Sequence, residues 1–256
     1  MRGDENNTLA GPARLGQLAR EVEPWPPQRL LEWAVGRWGD RLALCTSFQI
    51  GGMVLIDMAV RTDLPLRVLT IDTGRLPEQT HELIHRVRCR YGLEVEVLMP
   101  DPAQVGAMVR RSGPNLFYDS VDARLECCRL RKGEPLRRAL AELDAWMTGA
   151  RREQTAARAT MEKLALDPIH EGAVKLAPLA DWSAEAVWSY ARAHNVLHHP
   201  LYERGYKSIG CAPCTRAVAA HESTRAGRWW WEGGRPKECG LHAPTPSRLD
   251  RREASR

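Results

Sequence analysis

The sequence predicts an α/β protein in which a doubly wound, mostly parallel β-sheet is flanked by helices. Two observations support this class. Short apolar stretches, typical of buried strands, alternate along the chain with amphipathic helical patterns. A Gly-containing turn also connects the first of these strands to the helix after it. Because such alternation favours parallel strands joined by crossover helices, we expect one α/β domain over residues 28–232.

The first half of the chain supplies a helix, two strand–helix units and a third strand. Apolar residues recur at intervals of three and four in the helices, whereas the strands are continuous or alternating apolar stretches. Gly39 and Gly92 follow the last periodic residue of a helix and are expected to end it. In chain order the predicted elements are a helix over 28–38, a strand over 41–48, a turn over 49–52, a helix over 53–61, a strand over 66–73, a helix over 77–90 and a strand over 93–98.

The second half contains shorter elements. Asp101 can cap a helix that runs to about residue 111, and the turn-forming residues at 112–115 are expected to end this helix. The elements predicted after this break are a helix over 134–143, a strand over 145–149, an extended segment over 175–179 and a helix that opens at 181–183 and runs to about 194. We expect residues 1–27 to be a loosely ordered lead-in and residues 233–256 to be a mobile, loop-rich tail.

The composition is that of a globular protein in a reducing compartment. Of 256 residues, 43% are hydrophobic and 27% are charged, and the net charge is +5. No apolar run approaches the length of about 18 residues that a membrane span requires, and no signal peptide is visible. The basic residues are spread along the chain, which favours a small anionic ligand over nucleic acid. We therefore expect a cytoplasmic protein with neither a membrane nor a nucleic-acid partner.

Polar residues and glycines follow three of the predicted strands. In a parallel sheet the ligand lies at the carboxyl ends of the strands, beside helix N-termini. Backbone amides, hydroxyls and arginines together suit an anion such as a nucleotide phosphate, although ordinary turn chemistry explains the two glycines equally well. The residues expected at this edge are Thr46, Ser47, Gln49, Gly51 and Gly52 after the first strand, Asp72, Thr73, Gly74 and Arg75 after the second, and Thr148, Gly149, Arg151 and Arg152 after the fourth.

Four of the seven cysteines form two pairs. Cys127 and Cys128 are adjacent, whereas Cys211 and Cys214 form a Cys-x-x-Cys sequence. Four thiolates match the ligand number of a tetrahedral zinc ion or of a [4Fe–4S] cluster. Because adjacent side chains diverge, a cluster with iron at each corner accepts them more readily than one zinc ion. A zinc site is one alternative, and two inert buried cysteines beside an incidental Cys-x-x-Cys are the other.

Cys239 differs from these four because it lies in the predicted tail. A thiol on a mobile segment can reach a bound substrate and then a second protein, and the nearby His242 and Lys237 can lower its pKa. An accidental surface cysteine is the alternative. Cys45 and Cys89 fall on apolar faces and are expected in the core.

Taken together, these motifs resemble assimilatory adenylyl-sulfate reductase, a family within the PP-loop ATP pyrophosphatase fold. The resemblance covers about residues 42–242, and the tail motif combined with the four paired cysteines is its most specific part. The usual Ser-Gly-Gly-x-Asp-Ser loop of the fold is replaced by Ser-Phe-Gln-Ile-Gly-Gly over 47–52, which suggests a loop that no longer cleaves ATP. The matching motifs are Thr46-Ser47-Phe48-Gln49, Ile71-Asp72-Thr73-Gly74-Arg75-Leu76, Thr148-Gly149-Ala150-Arg151-Arg152-Glu153-Gln154-Thr155, Lys207-Ser208-Ile209-Gly210-Cys211 and Glu238-Cys239-Gly240-Leu241-His242.

The resemblance implies thioredoxin-dependent reduction of adenosine 5′-phosphosulfate to sulfite and AMP, in sulfate assimilation and cysteine biosynthesis. Cys239 would attack the substrate sulfur and form an S-sulfocysteine, from which thioredoxin or glutaredoxin would release sulfite. The resemblance also implies a [4Fe–4S] cluster on Cys127, Cys128, Cys211 and Cys214, with an electrostatic role. The substrate-binding residues that it implies are Ser47, Phe48, Asp72, Lys132, Gly149, Arg158, Arg225, Arg228 and His242.

Three other functions are the alternatives to this one. A reductase acting on 3′-phosphoadenosine 5′-phosphosulfate would need further cations near the ribose, which the sequence does not locate. A PP-loop enzyme that thiolates tRNA with ATP would need the intact Ser-Gly-Gly-x-Asp-Ser loop. A non-enzymatic iron–sulfur sensor would need a recognition helix or a basic arm. The fold often associates, so a homo-oligomer is also considered.

Overall fold

The structure, a computed structural model, describes residues 12–170 and 172–233. The strands in this part of the chain are β1 Leu42–Cys45, β2 Arg67–Ile71, β3 Val95–Leu98, β4 Ala145–Met147, β5 Leu164–Leu166 and β6 Val174–Leu176. They form a six-stranded sheet in the order β3-β2-β1-β4-β6-β5. The pairings are parallel except at the edge, where β5 runs antiparallel to β6. The predicted fold, a mostly parallel sheet flanked by helices, is confirmed.

Helices cover this sheet, and a π-helical turn at Arg129–Gly133 joins two of them. The α-helices of the described residues are α1 Pro12–Val22, α2 Pro27–Trp38, α3 Ile50–Arg61, α4 Glu78–Tyr91, α5 Pro102–Ser112, α6 Val121–Cys128, α7 Glu134–Leu140 and α8 Ala184–Ala193. No helix among them has the length and hydrophobicity that crossing a membrane would require.

The two faces of the sheet are buried by different sets of residues. Leu42 and Leu44 of β1 belong to the core cluster that includes residues of α1, α2, α3 and α8. Ala43 points to the opposite face, where it joins Trp146 and residues of α7. This alternation follows from the two-residue repeat of a strand. Because both faces are covered, the strands read as nearly continuous apolar runs.

Local sequence signals set several boundaries as predicted. Asp101 caps α5, since its Oδ1 accepts hydrogen bonds from the backbone N–H groups of Ala103 and Gln104 at 2.8 and 3.0 Å. Gly92 ends α4 with φ of 64°, a left-handed conformation that glycine adopts without a steric penalty. The Asp101 cap and the Gly92 stop each depend only on backbone groups within a few residues, which is why the sequence predicts them.

Helix α1 differs from the expectation of a loosely ordered lead-in over 1–27. Residues 12–22 are helical, and Leu15, Ala19 and Val22 are buried in the core. These three positions follow helical spacing, but the rest of the segment is polar, so the apolar face is narrow and its partner surface cannot be seen in the sequence. Residues 1–11 and the tail over 234–256 lie outside the described residues.

Other differences concern short elements and one cysteine. Gly51 and Gly52 lie in the first turn of α3 rather than in the turn predicted before it. Helix α6, the π-helical turn and strand β5 were not predicted, because each is too short for a clear hydrophobic repeat. Cys89 is exposed on α4 rather than buried in the core, whereas Cys45 is half-buried. The apolar positions near Cys89 belong to a different face of its helix.

Candidate active site

A cavity of about 580 Å³ lies at the carboxyl edge of the sheet, where the residues that end β1, β2 and β4 line it. We call it the edge cavity. Its wall also includes the segment 205–210 and several cations. Of the predicted substrate-binding residues, those that line the edge cavity are Ser47, Lys132, Gly149, Arg158, Arg225 and Arg228. The ends of the strands and the cations from distant parts of the chain therefore line one cavity.

The floor of the edge cavity is a close contact between two backbone segments. A Cβ atom on Gly51 would lie 2.4 Å from the carbonyl oxygen of Gly149, and one on Gly149 would lie 2.5 Å from the backbone of Gly51 and Gly52. A Cβ on Gly52 would lie 2.0 Å from Thr46 Oγ1. These three glycines are needed for close approach, so that the start of α3 packs directly on the loop after β4.

Two predicted substrate residues do not line the edge cavity. Phe48 is fully buried in the core with φ of 54°, and its backbone N–H donates to Thr46 Oγ1 at 2.9 Å. Asp72 accepts a hydrogen bond from the N–H of Gly74 at 2.8 Å and lies 3.0 Å from His81 Nε2. Both residues shape the turns that follow their strands.

Gln49 and Tyr202 attach the segment before the Cys-x-x-Cys sequence to the start of α3. Gln49 Oε1 accepts from the backbone N–H of Ile209, and the Tyr202 hydroxyl accepts from that of Ile50, both at 3.0 Å. Burial raises the pKa of Tyr202 to about 12, so its hydroxyl is neutral at physiological pH. Tyr202 lines the edge cavity but was not predicted, because its loop has no motif that points to the sheet edge.

Arg228 is the most buried of the four predicted cations that line the edge cavity. Its Nε has no hydrogen-bond partner within the described residues, and its guanidinium lies 4.7 Å from the centre of the Trp229 ring. A Cβ on Gly210 would lie 2.4 Å from this guanidinium, so glycine leaves room for it. A buried donor without a partner costs free energy, which an anionic ligand would offset.

The four paired cysteines lie around a second, smaller cavity, the cysteine cavity, together with Phe117 and Trp229. Cys127 and Cys128 end α6, and Cys211 and Cys214 flank a short 3₁₀ turn. All four are buried. Lys132 lines both cavities, which places it between the four thiols and the edge cavity.

Contacts to the end of β2 hold the cysteine cavity against the sheet. Cys211 Sγ lies 3.2 Å from Thr73 Oγ1, and the N–H of Ala212 donates to the carbonyl of Arg75 at 2.8 Å. Arg131 of the π-helical turn donates to the carbonyl of Thr73 at 2.7 Å. Both cysteine pairs are therefore fixed to the same loop of the sheet edge.

The thiols have the properties of a buried donor set. Burial raises the pKa of Cys214 to about 11, and it raises the pKa of Cys127 although Arg131 opposes this effect. Among residues 12–170 and 172–233, no group of three or more His, Cys, Asp or Glu side chains is arranged so that it could hold a metal ion. The four buried thiols nevertheless line one cavity, the cysteine cavity. By number and type, four thiolates match the donor set of a [4Fe–4S] cluster or of a tetrahedral zinc ion.

Comparison with known proteins decides the family. The family model described as the phosphoadenosine phosphosulfate reductase domain matches residues 41–217. The chain belongs to this family. A protein named adenosine 5′-phosphosulfate reductase from Allochromatium vinosum is 50% identical over 203 residues, which cover 79% of both chains. A protein of the same name from Burkholderia cepacia is 44% identical over 239 residues, covering 93% of this chain and 94% of the relative.

A solved structure agrees with this membership of the phosphoadenosine phosphosulfate reductase family. The phosphate complex of phosphoadenylyl-sulfate (PAPS) reductase from Candida auris superposes with a TM-score of 0.69 at 26% identity, covering 81% of this chain and 98% of that one. The family resemblance drawn from the motifs is confirmed. Cys239 and His242 lie outside the described residues, so their predicted roles stay predictions.

Proposed function

We propose that this protein reduces adenosine 5′-phosphosulfate to sulfite and AMP, with Cys239 as the nucleophile and thioredoxin or glutaredoxin as the reductant. One observation carries the proposal: Lys132, Arg158, Arg225 and Arg228 line a single cavity at the carboxyl edge of the sheet. Such a cavity suits a nucleotide with several negative charges. The names of the two bacterial relatives favour the 5′-phosphosulfate as the substrate.

The reaction has two steps, each of which balances. In the first step the Cys239 thiolate attacks the substrate sulfur; an S–S bond forms, the S–O bond to the phosphate breaks, and AMP leaves with the electron pair of that bond. In the second step one thiolate of the reductant attacks the Cys239 sulfur and expels sulfite. The second thiol of the reductant then displaces Cys239, so the reductant becomes a disulfide and Cys239 is free again.

The cavity cations serve the first step. A thiolate and a sulfuryl group are both negative, so their approach is unfavourable unless nearby positive charges offset the repulsion. Arg228 is suited to this task because it is buried and one of its N–H groups has no partner in the described part of the chain. Burial also strengthens its interaction with an anion by lowering the local dielectric constant. We propose that Arg228 contacts the sulfate or the α-phosphate.

The cysteine cavity is the proposed site of a [4Fe–4S] cluster held by Cys127, Cys128, Cys211 and Cys214. Four buried sulfurs that line one cavity, which is the donor number that such a cluster takes, support this assignment. When bound, the group would contribute charge next to Lys132 and the edge cavity. Lys132 itself would hold the substrate anion from the side that faces the four sulfurs. The cytoplasmic location, the absence of a nucleic-acid partner and a homo-oligomer stay predictions.

The test of the nucleophile is anaerobic incubation with labelled adenosine 5′-phosphosulfate in the absence of reductant, followed by mass analysis of the peptide that contains Cys239. We expect one sulfonate on Cys239 and one AMP per chain, and neither in Cys239→Ser. Cys89→Ser is the matched control, because Cys89 is exposed on α4 and lines neither cavity. The mechanism is wrong if Cys239→Ser releases AMP as fast as the unmodified protein.

Two further measurements separate the alternatives. Iron and acid-labile sulfide of anaerobically purified protein should each approach four per chain, as a [4Fe–4S] cluster requires, and should fall in Cys128→Ser but not in Cys89→Ser. The 3′-phosphorylated substrate is the second candidate, because the structural relative from Candida auris is named a phosphoadenylyl-sulfate reductase. A higher kcat/KM with that nucleotide would favour it. The names of the relatives favour both nucleotides over tRNA thiolation.

A further inference from the structure

Glu23 connects the N-terminal helix to the wall of the edge cavity. It follows the last residue of α1 and precedes residues 41–217, which the family model matches. One of its carboxylate oxygens accepts a hydrogen bond from Arg152 Nη2. The other accepts from the backbone N–H of Lys163 at 3.2 Å. A single carboxylate thus holds both ends of the segment 152–163.

This segment carries part of the proposed anion site. Arg158 lies in its middle and lines the edge cavity with Gln154. Gln154 Oε1 accepts from Arg158 Nη1 at 2.5 Å and from the backbone N–H of Arg151 at 3.1 Å. Short 3₁₀ turns make up much of the segment, with few backbone hydrogen bonds to the sheet. Its position therefore depends on its two ends.

Arg152 is directed to Glu23 rather than to the edge cavity. It does not line that cavity, although Arg151 and Glu153 on either side of it do. Its Nε donates to the carbonyl of Met161 at 2.8 Å, and this second hydrogen bond connects the two ends of the segment 152–163. The sequence placed Arg152 at the ligand edge, and the structure shows that its side chain connects protein elements instead.

Lys163 fixes the other end of the segment to the same turn. It is almost fully buried, and its Nζ donates to the carbonyl of Trp25 at 2.8 Å and contacts Asp181 at 2.7 Å. The turn that follows α1 therefore supports the segment through Glu23 and through the carbonyl of Trp25. Leu15, Ala19 and Val22 anchor the helix itself in the core.

We infer that Glu23 is a positioning residue for nucleotide binding: through Arg152 and Lys163 it holds the segment that presents Arg158 to the edge cavity. The inference rests on the proposed function, since the nucleotide is the ligand proposed above. Without the charge on Glu23, Arg152 loses its carboxylate partner and the segment can move away from its binding position. Nucleotide affinity should then fall, while the chemical step at saturating substrate should change little, because Glu23 itself does not line the edge cavity.

The test uses the full chain and compares Glu23→Gln with Glu21→Gln, an exposed glutamate in the last turn of α1. We expect Glu23→Gln to weaken binding of AMP and adenosine 5′-phosphosulfate by about five-fold, with a similar rise in KM and a nearly unchanged kcat. Peptides that cover 152–163 should exchange amide hydrogen faster, whereas those of β1 and β2 should not. Glu21→Gln should match the wild type in every measurement.

A double-mutant cycle with Arg152→Gln distinguishes the effect of the ion pair between Glu23 and Arg152 from a general loss of stability. If the two side chains act through each other, the loss of AMP affinity in the double variant is smaller than the sum of the two single losses. Additive losses, or unchanged exchange over 152–163 in Glu23→Gln, would overturn the inference. So would a wild-type affinity for AMP in Glu23→Gln. If the wild type itself bound neither nucleotide, the proposed function would fail first, and the two failures can be told apart.

Discussion

The contact between Gly51 and Gly149 gives the sharpest test of how the edge cavity is built. Gly51→Ala would place a Cβ 2.4 Å from a carbonyl oxygen, and that oxygen belongs to backbone rather than to a movable side chain. Real Cβ contacts are essentially never shorter than 3.0 Å, so the start of α3 and the loop after β4 must separate. Both segments are packed against the sheet, so we expect a loss of about 2 kcal/mol in the free energy of unfolding.

The matched control is Gly36→Ala in the last turn of α2. Gly36 is exposed, and a Cβ there would meet no atom within 4 Å. Alanine favours helix over glycine, so this change should stabilise the protein by about 0.5–1 kcal/mol. The same substitution should therefore have opposite signs at the two positions.

The assays are urea unfolding and thermal unfolding, both followed by far-ultraviolet circular dichroism, with AMP affinity measured on the folded variants. Gly51→Ala should lower the melting temperature by about 4–8 °C and should weaken AMP binding, because both displaced segments line the edge cavity. Gly36→Ala should leave AMP affinity unchanged. If Gly51→Ala were as stable as the wild type and bound AMP equally well, the close packing of these two segments would not support the site.

Three other predictions follow from buried or capping groups. His199 is fully buried and burial lowers its pKa to about 4, so the unfolded chain binds a proton at His199 before the folded protein does as the pH falls. The contribution of His199 to stability should be full above pH 6.5, and the free energy of unfolding should fall by about 3 kcal/mol towards pH 4. Urea unfolding of the wild type and of His199→Gln across this pH range measures the effect. Glu232→Gln should cost about 2–3 kcal/mol by urea unfolding, because Arg124 and Glu232 form a bidentate pair with side chains only 5% and 6% exposed. Asp101→Ala should cost about 1 kcal/mol and should speed hydrogen exchange in the first turn of α5.

The parts of the fold that depend on neighbouring residues could be predicted from the sequence. Helix α2, strands β1 to β3, the Asp101 cap and the end of α4 at Gly92 all rest on patterns within one element. Helix α1 could not be predicted, because its narrow apolar face is stable only against a surface formed by distant residues. The sequence also gives no sign that the start of α3 packs against Gly149, because the two segments are about a hundred residues apart along the chain.

In the candidate site, too, residues that belong to motifs could be predicted from the sequence, whereas residues that act through distant contacts could not. The two cysteine pairs and the cations Lys132, Arg158, Arg225 and Arg228 were predicted from motifs, because those residues carry chemistry that a motif records. Tyr202 and Glu23 were missed. Each acts through a hydrogen bond to backbone or to a side chain in another element, and neither lies in a motif. Residues that position a site through contacts with other elements can be identified only from the folded structure.

The π-helical turn at Arg129–Gly133 explains how one short segment serves both cavities. It directly follows Cys128, so the cysteine pair, Arg131 and Lys132 occupy consecutive turns of one helical segment. A π-helical turn contains one residue more than an α-helical turn, which rotates the side chains after it relative to those before it. Arg131 and Lys132 lie within this turn, where Arg131 donates to the carbonyl of Thr73 and Lys132 lines the edge cavity as well as the cysteine cavity. The turn that continues directly from Cys128 therefore supplies both a contact to the loop after β2 and a cation that the two cavities share.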